Sequence, residues 1–169
     1  MKCSKILTVL EFAGNTGKIL DYTLELAKKE EAEVCLLHSE PPISGYVYMV
    51  PGTGYGGFIG FGEYADVNQE VESIHLEHDR QVLEMLKTKL EKEGVPAEIR
   101  LLQGDPAREI RNTALELETD LIVIGTRKQG FFARLLSDNP ERSLLRNPPC
   151  PMLVIPEDPE NPDGESLTF

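Results

Sequence analysis

Short apolar runs alternate with longer amphipathic segments along this chain. Residues 5–10 read KILTVL, and such nearly uninterrupted apolar runs are typical of strands that are covered on both faces of a sheet. Four further runs have the same character, which predicts five strands in all. The other four predicted strands are residues 33–39, 97–103, 120–126 and 151–156.

The segments between these runs place apolar residues at helical spacing. The second helix is predicted at 66–93 and is closed by Gly94, and the third has Asp105 as N-cap and Pro106 in its first turn. A short fourth helix is predicted at 139–146. The first helix, with an N-cap at Asn15 or Thr16, presents an apolar face of Ile19, Tyr22, Leu26 and Ala27, and the third presents Ala107, Ile110, Ala114 and Leu117.

This alternation predicts an α/β fold: a single-domain, doubly wound, five-stranded parallel sheet of Rossmann-like type, with helices on both faces. Ligands of such sheets bind outside the carboxyl ends of the strands, where the strand order reverses. The loops at 11–17 and 125–140 are therefore the candidate ligand loops. We expect the domain to comprise residues 1–156, and the acidic, proline-containing segment 157–169 to be a C-terminal tail.

The charge of the chain restricts the classes of partner. Its formal net charge is -12, which disfavours nucleic acid and anionic membrane surfaces because both would be repelled. No stretch has the length of a membrane span and no signal peptide is recognisable. The odd, widely spaced cysteines, Cys3, Cys35 and Cys150, suit reduced thiols. We expect a cytoplasmic protein.

Two glycine loops invite a phosphate-binding interpretation, and neither supports it well. Gly52, Gly54 and Gly57 match G-x-G-x-x-G, but the flanking segments lack the strand and the helix that this loop requires. The segment GNTGK at 14–18 resembles a P-loop, G-x-x-x-x-G-K-[ST]. Phe12 and Ile19 stand where that pattern needs its first glycine and its hydroxyl, so we interpret the segment as a loop that leads into a helix.

The end of the chain carries a family resemblance. Residues 120–156 read DLIVIGTRKQGFFARLLSDNPERSLLRNPPCPMLVIP, which resembles the end of universal stress proteins. The segments KILTVLEF, LDYTLELAKKEEAEVCLLHSEPP and GDPAREI are similar to earlier parts of the same family. The resemblance implies the adenine nucleotide alpha-hydrolase-like variant of the fold and a non-enzymatic stress-response protein. It also implies a homodimer, with an adenine-nucleotide pocket in one subset of the family.

The resemblance further implies that this chain departs from the nucleotide-binding subset. That subset carries Gly, two residues, Gly, nine residues, then Gly followed by Ser or Thr. Gly125 fits the first position, but Lys128 occupies the second, and Asp138 and Asn139 occupy the last pair. Glu11 replaces the aspartate that the family uses near the adenine. We therefore expect a degenerate nucleotide pocket.

A basic cluster supports the alternative, which is an ATP- or AMP-binding protein with weak ATPase activity at most. Residues 121–137 contain no acid and carry Arg127, Lys128 and Arg134, and Gly130 offers a substitute for the lost glycine. These cations equally suit pairing with the chain's own carboxylates or a dimer contact. The candidate nucleotide- or anion-binding residues are Glu11, His38, Gly125, Thr126, Arg127, Lys128, Gly130, Arg134, Asp138 and Asn139.

A Gly/aromatic insertion at about residues 41–65 separates the second strand from the second helix. Residues 41–62 have no charged side chain. Glycine with Tyr and Phe suits an adaptable protein-binding surface, and a loop that folds onto its own sheet or across a dimer explains the composition equally well. The candidate partner-binding residues are Tyr46, Tyr48, Tyr55, Phe58, Phe61 and Tyr64.

The histidines and cysteines do not form a recognisable metal-binding or catalytic motif in the sequence. His75 and His78 lie three apart on the second helix, but His78 continues an apolar stripe of Val71, Ile74, Val82 and Met85, and we predict no metal site. Cys35 should be inert within its strand, whereas Cys150 between two prolines is the more accessible thiol. No Ser/His/Asp pattern or nucleophile elbow is present, so no catalytic residue is assigned.

Overall fold

The computed structural model describes residues 2–12, 15–40, 65–125 and 144–156, which contain five strands and three helices. The elements alternate as the hydrophobic pattern predicts. The strands are β1 (Lys5–Val9), β2 (Glu33–Glu40), β3 (Ala97–Gln103), β4 (Leu121–Gly125) and β5 (Met152–Ile155), and the helices are α1 (Thr16–Glu30), α2 (Ala65–Lys92) and α3 (Pro106–Glu116).

The five strands form one parallel sheet in the order β3-β2-β1-β4-β5. β1 is central, and its Leu7 lies between Cys35 of β2 and Ile122 of β4. The order runs one way from β1 to β3 and the other way from β1 to β5, which is the doubly wound topology. The predicted fold class is confirmed.

Each strand contributes alternate side chains to two separate cores, because successive residues of a strand point to opposite faces. On one face Ile6 and Leu36 pack with α1 and α2. On the other face Leu7 and Leu37 pack with α3 and with Leu144. Helices therefore cover both faces of the sheet, as predicted. His38, at the end of β2, has the parity of Leu36 and lies on the face that α1 and α2 cover.

Local signals predicted some element boundaries well. β3 begins and ends at the predicted residues, and α3 has Asp105 as its N-cap, whose Oδ1 accepts a hydrogen bond from the Arg108 amide at 3.1 Å. The short helix predicted at 139–146 has its last three residues, 144–146, in the described part of the chain, and there they form a turn. The predicted helix is wrong at that end.

The apolar faces predicted for α1 and α2 need correction. Tyr22 is 46% exposed, and Leu20 and Thr23 are buried on α1 instead. Of the apolar stripe predicted for α2, Ile74, His78 and Met85 are exposed, whereas Val82 is buried. The buried face of α2 is rotated by about one residue from the predicted face. The prediction followed apolar residues alone, and Asp79 is a polar residue of the buried face. That buried face comprises Asp79, Val82, Leu83, Leu86 and Leu90.

Candidate functional site

The candidate site lies where the strand order reverses, between the carboxyl ends of β1 and β4. Val9 pairs with Ile124 and Leu37, so the chain leaves the sheet next at Leu10 and Glu11 on one side of this crevice. Gly125 is the last residue of β4 on the other side. The topology thus brings Glu11, His38 and Gly125 to the carboxyl-terminal end of the sheet, and their role in ligand binding stays a prediction.

Gly125 has no space for a side chain. A Cβ at this position would lie 2.5 Å from Nδ2 of Asn15 and 2.5 Å from Cδ1 of Ile19. The first turn of α1 therefore packs directly on the end of β4. A side chain at this position would require the ends of the Asn15 and Ile19 side chains to shift.

Asn15 was predicted as a helix cap, and its backbone holds that position without a capping hydrogen bond from its side chain. Its amide group instead lies against Gly125. An asparagine at a helix start usually signals capping. The alternative use of its amide depends on the tertiary contact between α1 and β4, and no local pattern reports that contact.

The end of β1 presents a carboxylate and an unusual backbone conformation. Glu11 is half-buried, and its Oε1 is inaccessible to solvent. Phe12 has φ of 51°, the left-handed conformation that non-glycine residues rarely adopt. The turn after β1 is therefore held in place by contacts that outweigh this local cost.

His38 provides one such contact. Its side chain is 6% exposed, and its Nδ1 donates a hydrogen bond to the Leu10 carbonyl oxygen at 2.7 Å. The imidazole stacks on the Phe12 ring, with 4.3 Å between the ring centroids and 27° between the planes. His38 thus joins the end of β2 to the turn after β1, and it is packed away from the mouth of the crevice.

Asp79 of α2 is a charged residue close to this cluster, and the sequence did not indicate it. It is 7% exposed, with Oδ2 at 3.8 Å from Nε2 of His38 and Oδ1 at 3.4 Å from Nδ1 of the exposed His78. A signal was available in retrospect: Asp79 precedes the buried Val82 and Leu83 by one helical turn. An acidic residue in that position is usually assigned to the solvent face.

The remaining candidates lie outside the described residues. This applies to Thr126, Arg127, Lys128, Gly130, Arg134, Asp138 and Asn139, to the aromatic residues Tyr46, Tyr48, Tyr55, Phe58, Phe61 and Tyr64, and to the loop glycines Gly52, Gly54 and Gly57. One described cation lies near the crevice. Lys18 of α1 donates a hydrogen bond from Nζ to the carbonyl oxygen of Pro156 at 3.2 Å, which ties α1 to the end of β5.

The thiols are poorly reactive as placed. Burial, and then the negative charge of Glu98, raises the pKa of the Cys35 thiol to about 12. Burial also raises the pKa of the Cys3 and Cys150 thiols, and Cys150 is only half-exposed. A thiol with a raised pKa holds its proton at neutral pH and is a weak nucleophile. Cys35 is inert as predicted, and Cys150 is less available than its flanking prolines suggested.

The described part of the chain has neither a group of side chains suited to a metal ion nor a helix suited to a membrane. Within residues 2–12, 15–40, 65–125 and 144–156, no three His, Cys, Asp or Glu side chains are grouped so as to hold a metal ion. In the same part of the chain, no helix combines the length and apolar character needed to cross a membrane.

Comparison with known proteins gives a consistent result. Residues 58–156 match the model of the Universal stress protein family. The chain is 28% identical over 154 residues to Universal stress protein YxiE of Bacillus subtilis, covering 90% of this chain and 98% of that protein. A universal stress family protein from Burkholderia pseudomallei has a similar structure, with a TM-score of 0.63, 25% identity and coverage of 92% and 97% of the two chains.

A third relative was solved with a ligand. The universal stress family protein from Arabidopsis thaliana, with AMP bound, aligns with a TM-score of 0.55 and 18% identity over 93% of this chain and 94% of that chain. At that identity the likeness establishes a shared fold, and the ligand belongs to the Arabidopsis protein.

Proposed function

This chain belongs to the universal stress protein family, and from that premise we propose that it acts in the stress response by dimerisation and ligand or partner binding, without catalysis. In this proposal the crevice between β1 and β4 is a degenerate nucleotide site. Its inner half, built by the ends of β1 and β4, retains Gly125, the first glycine of the family's nucleotide-binding pattern. Its phosphate half, in the loop after β4, is altered. We further propose a cytoplasmic location.

The observation that carries this proposal is the contact between α1 and Gly125. A Cβ on Gly125 would meet Asn15 and Ile19 at 2.5 Å, so a glycine is built into the base of the crevice. Glu11, half-buried in the turn after β1, carries a carboxylate, which is a hydrogen-bond acceptor for an amino or hydroxyl group. A fold of this type binds its ligands at this edge of the sheet. The AMP bound by the Arabidopsis relative makes a mononucleotide the first ligand to test.

The sequence of the loop after β4 opposes tight binding of a triphosphate. Lys128 stands where the family pattern needs a glycine for close approach of the backbone, and Asp138 puts a negative charge near the phosphate position. A carboxylate facing a phosphate without a bridging cation is repulsive. A monophosphate presents fewer charged oxygens to this loop, so we expect the β- and γ-phosphates of ATP to add no affinity.

The state of His38 supports a role without catalysis. A general base must reach the ligand with a nitrogen that can take a proton. The Nδ1 of His38 is already engaged with the carbonyl of Leu10, and its Nε2, the nitrogen that could accept a proton, is buried and faces Asp79. His38 is therefore placed as a structural part of the crevice wall.

Isothermal titration of AMP and of ATP, each with and without Mg²⁺, into protein freed of bound ligand tests the proposal. We expect AMP to bind with a dissociation constant on the order of 0.1 mM or weaker, and ATP to bind no more tightly. The variant with Lys128→Gly, Asp138→Gly and Asn139→Ser together should gain ATP affinity. Micromolar ATP binding by the wild type would overturn the proposal, and silence of both nucleotides up to millimolar concentration would show that the crevice is not a nucleotide site.

A second candidate function is ATP or AMP binding with slow hydrolysis through the basic loop. The stretch 121–137 supports it, because it has three cations and no acid in a chain of net charge -12. This candidate predicts that Arg127→Ala or Arg134→Ala lowers ATP affinity, whereas the degenerate site predicts no change. Release of phosphate above the rate of a buffer control would support the second candidate alone.

Partner binding through the aromatic insertion is the third candidate, and it requires no nucleotide. The insertion combines six aromatic residues with several glycines and no charge over 41–62. Deletion of residues 46–62 should then abolish capture of a partner or self-association. An unchanged elution volume and an unchanged pull-down would count against it.

A further inference from the structure

Asp79 is a buried carboxylate on a stretch of α2 whose neighbours face solvent. It is 7% exposed, while His78 and Arg80 on either side are exposed. Burial of a carboxylate is costly unless it is paired. Its two oxygens face two imidazoles, at 3.8 Å from Nε2 of His38 and 3.4 Å from Nδ1 of His78. The carboxylate therefore lies between a surface histidine and a core histidine.

The orientation of the His38 ring is set from two opposite sides. A carbonyl oxygen only accepts hydrogen bonds, so Nδ1 of His38 must carry the proton that it donates to Leu10. Nε2 is then directed away from β1 and towards Asp79 of α2. The Leu10 carbonyl fixes one side of the ring by a hydrogen bond, and the Asp79 carboxylate faces the other side across 3.8 Å, which is beyond hydrogen-bond distance.

The plane of the ring matters because Phe12 stacks on it. Phe12 is in the left-handed region, with φ of 51°, and this conformation persists only where surrounding contacts impose it. The stacked imidazole, 4.3 Å from the Phe12 ring, is one such contact, and the packing of Phe12 against the hydrophobic core is another. Phe12 directly follows Glu11, the residue at the lip of the crevice. A change in the His38 ring would therefore change the turn that carries Glu11.

We propose that Asp79 is a positioning residue of the crevice, which acts through His38 to hold Phe12 and the turn after β1. The relay joins α2, on the flank of the sheet, to the end of β1, where a ligand would bind. It gives the otherwise unexplained buried carboxylate a role in ligand affinity. This inference rests on the proposed function for its binding measurement only, because the positions of His38 and Phe12 can be measured without nucleotide.

Imidazole NMR of ligand-free protein tests the relay directly. The chain has three histidines, so His75→Ala and His78→Ala assign the His38 signals by elimination. In the wild type we expect a solvent-protected Nδ1 proton and a nuclear Overhauser contact between the His38 and Phe12 rings. In Asp79→Ala we expect the proton to exchange at least about fivefold faster and the ring contact to weaken. Glu84→Ala, which removes an exposed carboxylate from the same helix, is the matched control and should change neither signal.

Titration of AMP into the same proteins then tests the consequence for binding. We expect Asp79→Ala to weaken AMP by at least about fivefold and Glu84→Ala to leave it unchanged. Asp79→Asn keeps the side-chain shape, replaces Asp79→Ala if the latter unfolds, and should show an intermediate loss. Circular dichroism and thermal denaturation identify a variant that is merely unfolded.

The outcomes separate the relay from the nucleotide site. Unchanged His38 and Phe12 signals in both Asp79 variants overturn the relay, and so does a changed ring contact with unchanged AMP affinity. If the wild type itself does not bind AMP, the proposed function fails. The relay is then judged by the Phe12 amide coupling constant, which must move away from its left-handed value in Asp79→Ala for the inference to stand.

Discussion

The side-chain amide of Asn15 lies against the bare Cα of Gly125, so that the start of α1 and the end of β4 touch at the base of the crevice. This contact joins the two loops that the topology makes candidates for ligand binding. It also removes Asn15 from its usual task of capping a helix. The start of α1 is thus packed closely on the end of β4.

Gly125→Ala should destabilise the protein, because the new Cβ would overlap Asn15 and the buried Ile19 at the same time. We expect the free energy of unfolding in urea to fall by about 1–3 kcal/mol. Adding Asn15→Ala should recover part of the loss by removing one of the two overlaps. Gly17→Ala is the matched control: nothing lies within 4 Å of its would-be Cβ, and a helical alanine should add about 0.5–1 kcal/mol. Equal effects of the two alanines would contradict the steric account.

The comparison of Asn15 with Asp105 shows how far the sequence alone could go. Asp105 was predicted to cap α3, and it does so, because an N-cap followed by proline is a local signal that is decided within one turn. Asn15 offered the same local signal, but its amide is engaged by a strand more than a hundred residues away in the chain. Residue propensity predicts that Asn15 and Asp105 both stand at the start of a helix. Tertiary packing decides which contacts their side chains make.

The fold class was predictable for a related reason. Apolar runs of strand length and apolar stripes of helical spacing are physical consequences of a sheet covered on both faces. Asp79 and Phe12 were not predictable, since a buried acid breaks the apolar pattern that reveals a helix face, and a positive φ leaves no mark on the residue type. Both belong to the candidate site, where local rules are most often broken.

The buried hydroxyl pair of Thr8 and Thr23 joins β1 to α1, and it provides a test of the polar interior. Their Oγ1 atoms are 3.1 Å apart, and both residues are fully buried. Either Thr8→Val or Thr23→Val alone leaves one hydroxyl without its partner and should cost about 1–3 kcal/mol in urea denaturation. The double variant should be less destabilised than the sum of the two single changes. Strict additivity would mean that the hydroxyls do not interact.

The raised pKa of Cys35 predicts a loss of stability at high pH. The folded thiol has a pKa of about 12 against an ordinary value of 9.0, so between these values the unfolded chain is ionised while the folded chain keeps its proton. Stability from this group is therefore fully present below about pH 9 and falls above it, by at most about 1.4 kcal/mol per pH unit.

Urea denaturation of the wild type and Cys35→Val at pH 7, 9 and 10 isolates this effect. The difference between the two proteins should stay constant from pH 7 to pH 9. From pH 9 to pH 10 the wild type should lose stability relative to the variant. A difference that is independent of pH over the whole range would show that Cys35 ionises in the folded protein as readily as in the unfolded chain.

We propose the edge of the sheet at β5 as the surface through which two copies of this chain would pair. β5 is an edge strand, and its Val154 is 36% exposed. An apolar edge strand is a natural template for pairing with a second copy, which a two-fold axis would place antiparallel. Val154→Lys should disfavour this pairing, because a lysine on an edge strand opposes its own copy across the axis and must remain solvated.

Light scattering coupled to size exclusion measures the outcome. We expect the wild type to be a dimer and Val154→Lys to be a monomer with an unchanged far-ultraviolet circular dichroism spectrum. Leu115→Lys is the control, because Leu115 is 60% exposed on α3, away from β5. If Val154→Lys remained dimeric while Leu115→Lys became monomeric, the interface would lie on the α3 face, and β5 would need another cover for its free edge. Because a two-fold interface repeats each contact, one lysine on the true interface acts twice, and the contrast between the two variants should be large.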